Sequence, residues 1–90
     1  MSSQVAVVTG GTRGIGEAVS IALSEAGYSV AANYAGNKER AGKFSERTGI
    51  PAYQFDVSDF EQCQAGVAKI TEDLGNIDIV VNNALSLIHI

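Results

Sequence analysis

Val5-Ala6-Val7-Val8-Thr9-Gly10-Gly11-Thr12-Arg13-Gly14-Ile15-Gly16 is the stretch that decides how this chain folds. Its first half, reaching back to Gln4, is a short and nearly continuous β-branched apolar run, which suits a strand covered on both faces. Its second half is a glycine turn. From Gly14 to about Ala26 the chain then carries Ile15, Ala18, Ala22 and Leu23 at helical spacing, and Gly27 follows as a stop. Strand, glycine turn and helix in that order give a glycine fingerprint its physical meaning. The glycines permit a tight turn and let the backbone approach a pyrophosphate, while the open N–H groups and dipole of the following helix favour negative charge. A merely structural glycine turn would contain the same residues, so the surroundings matter.

Outward from the turn the pattern repeats. Ser29-Val30-Ala31-Ala32-Asn33 reads as a second strand and Ala35-Gly36-Asn37 as a turn. Lys38 to Thr48 reads as a helix stopped by Gly49 and Pro51, and Ala52-Tyr53-Gln54-Phe55-Asp56 as a third strand. Ser58 stands three residues before Glu61, a capping-box spacing, and Phe60, Cys63, Val67, Ile70 and Leu74 follow at intervals of three and four. After Gly75-Asn76, the run Ile77-Asp78-Ile79-Val80-Val81-Asn82 is a fourth strand, apolar enough to imply burial on both faces. Strands alternating with helices mean βαβ units and a parallel sheet. Right-handed crossovers then give an α/β, Rossmann-like doubly wound sheet, β1-α-β2-α-β3-α-β4, truncated after the fourth strand. In that topology the fourth strand lies beside the first, and as an unpaired apolar edge it predicts self-association.

Composition narrows the function. With 90 residues the chain fits one small domain, and 46% hydrophobic against 18% charged residues describes a chain able to build a core. The formal net charge of -4, with only six Lys and Arg residues, lacks the footprint of a nucleic-acid binder. No basic-then-apolar leader and no run of about 18 apolar residues is present, which predicts a soluble, cytoplasmic protein without a membrane partner. The lone Cys63 offers no internal disulfide, and no His/Cys cluster suggests a metal. Its reading is helix packing.

The glycine spacing, T-G-x-x-x-G-x-G, resembles that of the short-chain dehydrogenase/reductase family. Two further motifs fall in family order: Asp56-Val57 closing the third strand, and Val81-Asn82-Asn83-Ala84, similar to the family's N-N-A-G. The resemblance covers residues 1–84 and implies a bound nicotinamide dinucleotide. Gly10, Gly11, Thr12, Arg13, Gly14, Ile15 and Gly16 would hold its pyrophosphate end, Asp56 and Val57 its adenine, and Asn83 and Ala84 its ribose and nicotinamide side. Asn82 stands beside them, more as a tie between neighbouring strands; a structural role for both Asn residues stays open.

The choice between NAD and NADP(H) rests on residues again. An NAD site places an acid about 20 residues past the turn, where it repels a 2′-phosphate. Here that strand end reads Ala32-Asn33-Tyr34. Asn33 and Tyr34 leave room for a phosphate, and Arg13, with Lys38 or Arg40, would meet it by charge-assisted hydrogen bonds, which predicts NADP(H). Lys38 and Arg40 would equally serve as charges on a solvated helix face.

Within the family, Ala26-Gly27-Tyr28, Val30 to Asn37 and Asp56-Val57-Ser58-Asp59 resemble the branch of bacterial acetoacetyl-CoA reductases of polyhydroxybutyrate synthesis. That resemblance implies hydride transfer from NADPH to a 3-oxoacyl thioester of coenzyme A in a longer, homotetrameric parent. The family's Ser and Y-x-x-x-K would lie past residue 90, so no catalytic residue is expected in this chain. Tyr34-Ala35-Gly36-Asn37-Lys38 matches that motif by chance, on the adenosine side. Leu85-Ser86-Leu87-Ile88-His89-Ile90 departs from the family pattern and back-translates to CTG TCT CTT ATA CAC ATC, a transposase mosaic end, so residues 85–90 are expected to be translated sequencing adapter. Alternatives are a 3-oxoacyl-carrier-protein reductase, a noncatalytic NADP(H)-binding module, and half of a sugar-nucleotide epimerase, whose glycine spacing fits less well.

Overall fold

In the computed structural model, which describes residues 4–83, the elements are β1 (Val5–Val8), α1 (Gly14–Glu25), β2 (Ser29–Tyr34), α2 (Lys38–Thr48), β3 (Ala52–Gln54), α3 (Phe60–Leu74) and β4 (Ile77–Val81). All four strands pair in parallel in the order β3-β2-β1-β4. This is the Rossmann-like α/β sheet expected from the alternation. Ala84 and the tail at 85–90 lie outside the described residues.

The period-two alternation of strand side chains sorts the core into two layers. Val5, Val7, Ala31, Phe55 and Ile70 are buried together on the face that α3 covers, with Cys63, Leu74 and Ile77 packed against them. Val8, Val30, Ala32, Phe44 and Ile50 fill the opposite face with Val19, Leu23 and Val81, under α1 and α2. Cys63 thus packs in the helix layer, half-buried, as expected from the sequence.

Three local expectations change. On α1, Ile15 is 66% exposed, and Ala18 and Ala22 also face out, whereas Gly16, Val19, Ser20 and Leu23 turn inward. Close approach selects that face. Ser20 Oγ donates to the Gly11 carbonyl at 3.1 Å, a contact that a larger side chain would prevent. At α3 the N-cap is Asp59, whose carboxylate accepts from Gln62 N at 3.1 Å; Ser58 instead donates to Asp56, so the predicted capping box is one residue out of register. Phe60, the first helical residue, is 76% exposed, while Ile70 further along the same stripe is fully buried.

β4 is only partly covered: Ile77 packs on the α3 face and Val81 on the α1 and α2 face. Its burial alternates, with Asp78 and Val80 exposed, because it is the edge strand and no described helix lies over Val80. A register shift opposite Val5 and Ala6 accompanies this, and the Asp78 carboxylate there accepts the Val5 N–H at 2.9 Å.

Candidate nucleotide-binding site

The strand ends and the glycine turn meet at the C-terminal edge of the sheet, where open α/β sheets hold their ligands. Gly10 and Gly14 have φ of 63° and 57°, the left-handed region that reverses the chain between β1 and α1. The turn is tied down from three sides. Thr9 N donates to the Val81 carbonyl at 3.0 Å, Gly11 N to the Asn33 carbonyl at 2.9 Å, and the Asn83 side-chain amide to the Gly10 carbonyl at 3.2 Å. Gly16 closes the packing, since a methyl there would fall on the Gly10 carbonyl.

α1 starts immediately after the turn. Its N-cap, Arg13, is extended and makes no side-chain capping bond, and the first intrahelical donor is Glu17 N, bonded to the Arg13 carbonyl at 3.1 Å. The N–H groups of the first turn therefore remain available, together with the positive end of the helix dipole.

Beside this end lies an open cleft of about 380 Å³. Gly10, Thr12 and Arg13 form one wall, Asn33, Tyr34 and the loop Ala35-Gly36-Asn37 the floor, and Phe55, Asp56 and Val57 the other wall, with Arg40 reaching in from α2. Most of the site residues expected from the sequence are thus gathered in one place. The loop Ala35-Gly36-Asn37 and Phe55 belong to the cleft too, although the sequence marked them only as a turn and a strand residue. The available clue was Gly36-Asn37 directly before a helix: Asn37 sits at φ 59° and its side chain accepts from Arg40 N at 3.0 Å, which fixes where α2, and so Arg40, begins.

Charge is distributed unevenly across the cleft mouth. Folding brings Arg13 next to Arg40, Lys43 and Arg47 of α2 in an adjoining groove. Lys43 pairs with Glu39 at 3.4 Å and Arg47 with Glu17 at 3.1 Å. Among the described residues, Arg13 and Arg40 have no carboxylate partner. Lys38 lines neither cleft, which leaves Arg40 as the α2 cation at the site. Asp56 is the one acid lining the cleft, and it lies across from them. The Ser58 hydroxyl and N–H donate to its Oδ1 at 2.7 and 2.9 Å and hold its carboxyl below the ordinary 3.8. Its own N–H is taken by Gln62 Oε1 at 2.9 Å, so α3 fixes this wall.

A family model described as short chain dehydrogenase matches residues 4–86. The chain belongs to the short-chain dehydrogenase family. Acetoacetyl-CoA reductase of Rhizobium meliloti (strain 1021) is 58% identical over 82 residues, covering 91% of this chain and 34% of the relative. The 3-oxoacyl-(acyl-carrier-protein) reductase of Staphylococcus aureus (strain Mu50) is 39% identical over 84 residues, covering 88% of this chain and 34% of its own. Among solved structures, a short-chain dehydrogenase/reductase from Serratia marcescens superposes with a TM-score of 0.83 at 34% identity, over 91% of this chain and 36% of that one. The chain thus spans about a third of the length of these curated relatives. Members of the family use nicotinamide dinucleotides, NAD or NADP.

One family motif lands differently from expectation. The tie assigned to Asn82 is made by Asn83, whose amide reaches Gly10, while Asn82 is exposed. A one-residue step past β4 swaps which of two adjacent carboxamides faces the turn. The apparent Y-x-x-x-K match is split between two elements: Tyr34 ends β2 and Lys38 opens α2. No metal-ligating cluster occurs among the described residues, and none of their helices is long and apolar enough to cross a membrane.

Proposed function

We propose that this chain is the NADP(H)-binding part of a cytoplasmic, homotetrameric reductase that converts 3-oxoacyl-CoA, acetoacetyl-CoA above all, to the 3-hydroxyacyl thioester for polyhydroxybutyrate synthesis. The observation that carries the cofactor half is the pair Arg13 and Arg40 at a cleft whose β2 side carries no acid. A ribose 2′-phosphate fits that chemistry, and the uncapped α1 terminus fits a pyrophosphate. Gly10 through Gly16 would hold the pyrophosphate, Tyr34, Arg13 and Arg40 the phosphorylated ribose, and Asp56 and Val57 the adenine. Asn83 would brace the turn, with Asn82 and Ala84 toward the ribose and nicotinamide.

NADPH would supply the hydride. The rest of the work here is positional, because binding the adenosine end firmly lets remote contacts orient the reacting end. The reduction adds one hydride to C3 of the thioester and one proton to its oxygen, giving NADP⁺ and the alcohol. The proton donor is expected in a part of the protein beyond these residues, so the 90-residue chain alone should bind NADPH without oxidising it.

Titration calorimetry with NADPH and NADH tests the reading. A charged hydrogen bond is worth about 1.5–3 kcal/mol, or roughly 10- to 100-fold in affinity. NADPH should therefore bind at least about tenfold tighter than NADH, and Arg13→Ala or Arg40→Ala should erase most of that margin. Equal affinities for the two would sink the NADP(H) assignment. The Staphylococcus aureus relative favours a second substrate reading, a carrier-protein thioester. Assaying the full-length gene product with acetoacetyl-CoA and with acetoacetyl carrier protein separates the two.

A further inference from the structure

Asn33 was expected to touch the nucleotide, yet it is 2% exposed and its side chain is bonded to backbone. Its Nδ2 donates to the Phe55 carbonyl at 2.8 Å, and more weakly to the Tyr53 carbonyl at 3.4 Å and the Tyr34 carbonyl at 3.5 Å. Its Oδ1 accepts from Gly10 N at 3.4 Å, a long bond, while its own carbonyl accepts from Gly11 N at 2.9 Å.

The placement matters because the two walls of the cleft are not neighbours in the sheet. The glycine turn leaves β1 and the Asp56-Val57 wall leaves β3, with β2 between them in the order β3-β2-β1-β4. Past the last paired residues, Val8 with Ala32 and Tyr34 with Gln54, one backbone bond ties each wall to β2, Gly11 N to the Asn33 carbonyl at 2.9 Å and Phe55 N to the Tyr34 carbonyl at 3.0 Å, but neither reaches from one wall to the other. One carboxamide spans that gap, accepting from the turn with its oxygen and donating to the opposite wall with its nitrogen. A carboxamide is suited to this task because it offers a donor and an acceptor from one rigid plane. Ser, Thr, Asp and Leu each lack one of the two functions or the reach.

We propose that Asn33 is a positioning residue that sets the distance between the pyrophosphate wall and the adenine wall, and so couples two weak half-sites into one dinucleotide site. This rests on the nucleotide reading of the cleft and adds to it a residue that acts through Gly10 and Phe55. Linking two half-ligands raises affinity only when both half-sites are held at the span of the linker. Loss of the bridge should therefore leave each half-site intact and lower the affinity for the linked ligand.

The experiment compares wild type with Asn33→Ala and Asn33→Thr, using NADPH, inorganic pyrophosphate and adenosine as separate probes. Amide chemical-shift titrations are run well below each variant's melting temperature. Expected for Asn33→Ala is a loss of at least tenfold in NADPH affinity, with pyrophosphate and adenosine each within about twofold of wild type. Asn33→Thr suits a strand and keeps one hydrogen bond, so it folds if Ala does not and should fall between the two. NADPH affinity that drops no further than the product of the two half-ligand losses overturns the coupling, leaving Asn33 a stabilising residue only. Failure of wild type to bind NADPH at all overturns the nucleotide reading itself, and the coupling with it.

Discussion

Gly16 and Gly14 stand two residues apart in the same motif and answer to different constraints. A methyl at Gly16 would meet the Gly10 carbonyl and come within 2.8 Å of Asn83 Nδ2, so Gly16→Ala must push α1 away from the turn. Such overpacking typically costs about 1–3 kcal/mol, and here it also displaces the turn that would hold the pyrophosphate. Gly14 has open space and a φ of 57°, so Gly14→Ala bears only the left-handed penalty, about 1–2 kcal/mol, without a collision. Thermal melts with NADPH titrations should show binding lost in Gly16→Ala and retained in Gly14→Ala; equal binding by both would remove the close-packing account. Asp56 makes a prediction of its own. Its folded carboxyl titrates below the ordinary 3.8 because of Ser58, first through the hydroxyl and then through the N–H. A depressed folded value stabilises above the unfolded pKa, and the stabilisation fades as pH falls through the folded one. Carbon-detected titration of Ser58→Ala should move the Asp56 midpoint up toward 3.8, and an unmoved midpoint would show that the hydroxyl does not set it.

α1 and α3 begin in opposite ways, and the difference separates binding from stability. Asp59 caps α3 by accepting from Gln62 N, whereas Arg13 leaves the first turn of α1 without a side-chain acceptor. Asp at an N-cap is commonly worth about 0.5–2 kcal/mol, so Arg13→Asp should raise the melting temperature of the chain while abolishing NADPH binding, since the carboxylate would occupy the donors and repel phosphate. A variant both less stable and still binding would contradict the assignment of α1 as the anion end. β3 and α3 are joined by another polar contact, Tyr53 Oη donating to Asp73 Oδ2 at 2.9 Å. Burial, then that hydrogen bond and the carboxylate's charge, push the Tyr53 hydroxyl up to about 12 from 10.0. A raised folded value stabilises fully below the unfolded pKa and is lost as pH rises through the folded one. Denaturant melts across pH 10 to 12 should therefore show wild type losing stability more steeply than Tyr53→Phe, and parallel curves would remove the latch. The ends of α1 and α3 were legible in the sequence, since Gly27 and Gly75 mark them, whereas the third strand, read as Ala52 to Asp56, stops at Gln54. The inward face of α1 was not legible: apolar periodicity pointed to Ile15, Ala18 and Ala22, but contact with a glycine turn rewards small residues, and Gly16 and Ser20 took the buried side.

At the scale of the whole molecule, alternation of strand and helix was enough to give a parallel sheet with β4 beside β1, because handedness leaves few other arrangements. The cleft was also legible, because its walls are the ends of successive strands. What linear order concealed were contacts between residues far apart in sequence, Asn33 with Phe55 and Asn83 with Gly10. The β4 edge, read as buried on both faces, turned out to be only partly covered, and that sets how the chain should behave in solution. Val81 packs under the α1 and α2 layer, while its neighbour Val80 is 58% exposed on the other face of an edge strand. An apolar edge with open backbone groups invites pairing with another copy, and a lysine on such an edge is a common block. Val80→Lys removes little buried area, so its unfolding free energy should stay within the range of ordinary surface changes, about ±0.5 kcal/mol. Val81→Lys, by contrast, would place a charge in the core and should unfold the chain. In a concentration series by light scattering, wild type should gain apparent mass as it is concentrated and Val80→Lys should not. If wild type stays monomeric throughout, the exposed edge is insufficient to drive association. If both associate equally, the contact lies elsewhere, and the outward stripe of Ile15, Ala18 and Ala22 on α1 is the next apolar surface to break.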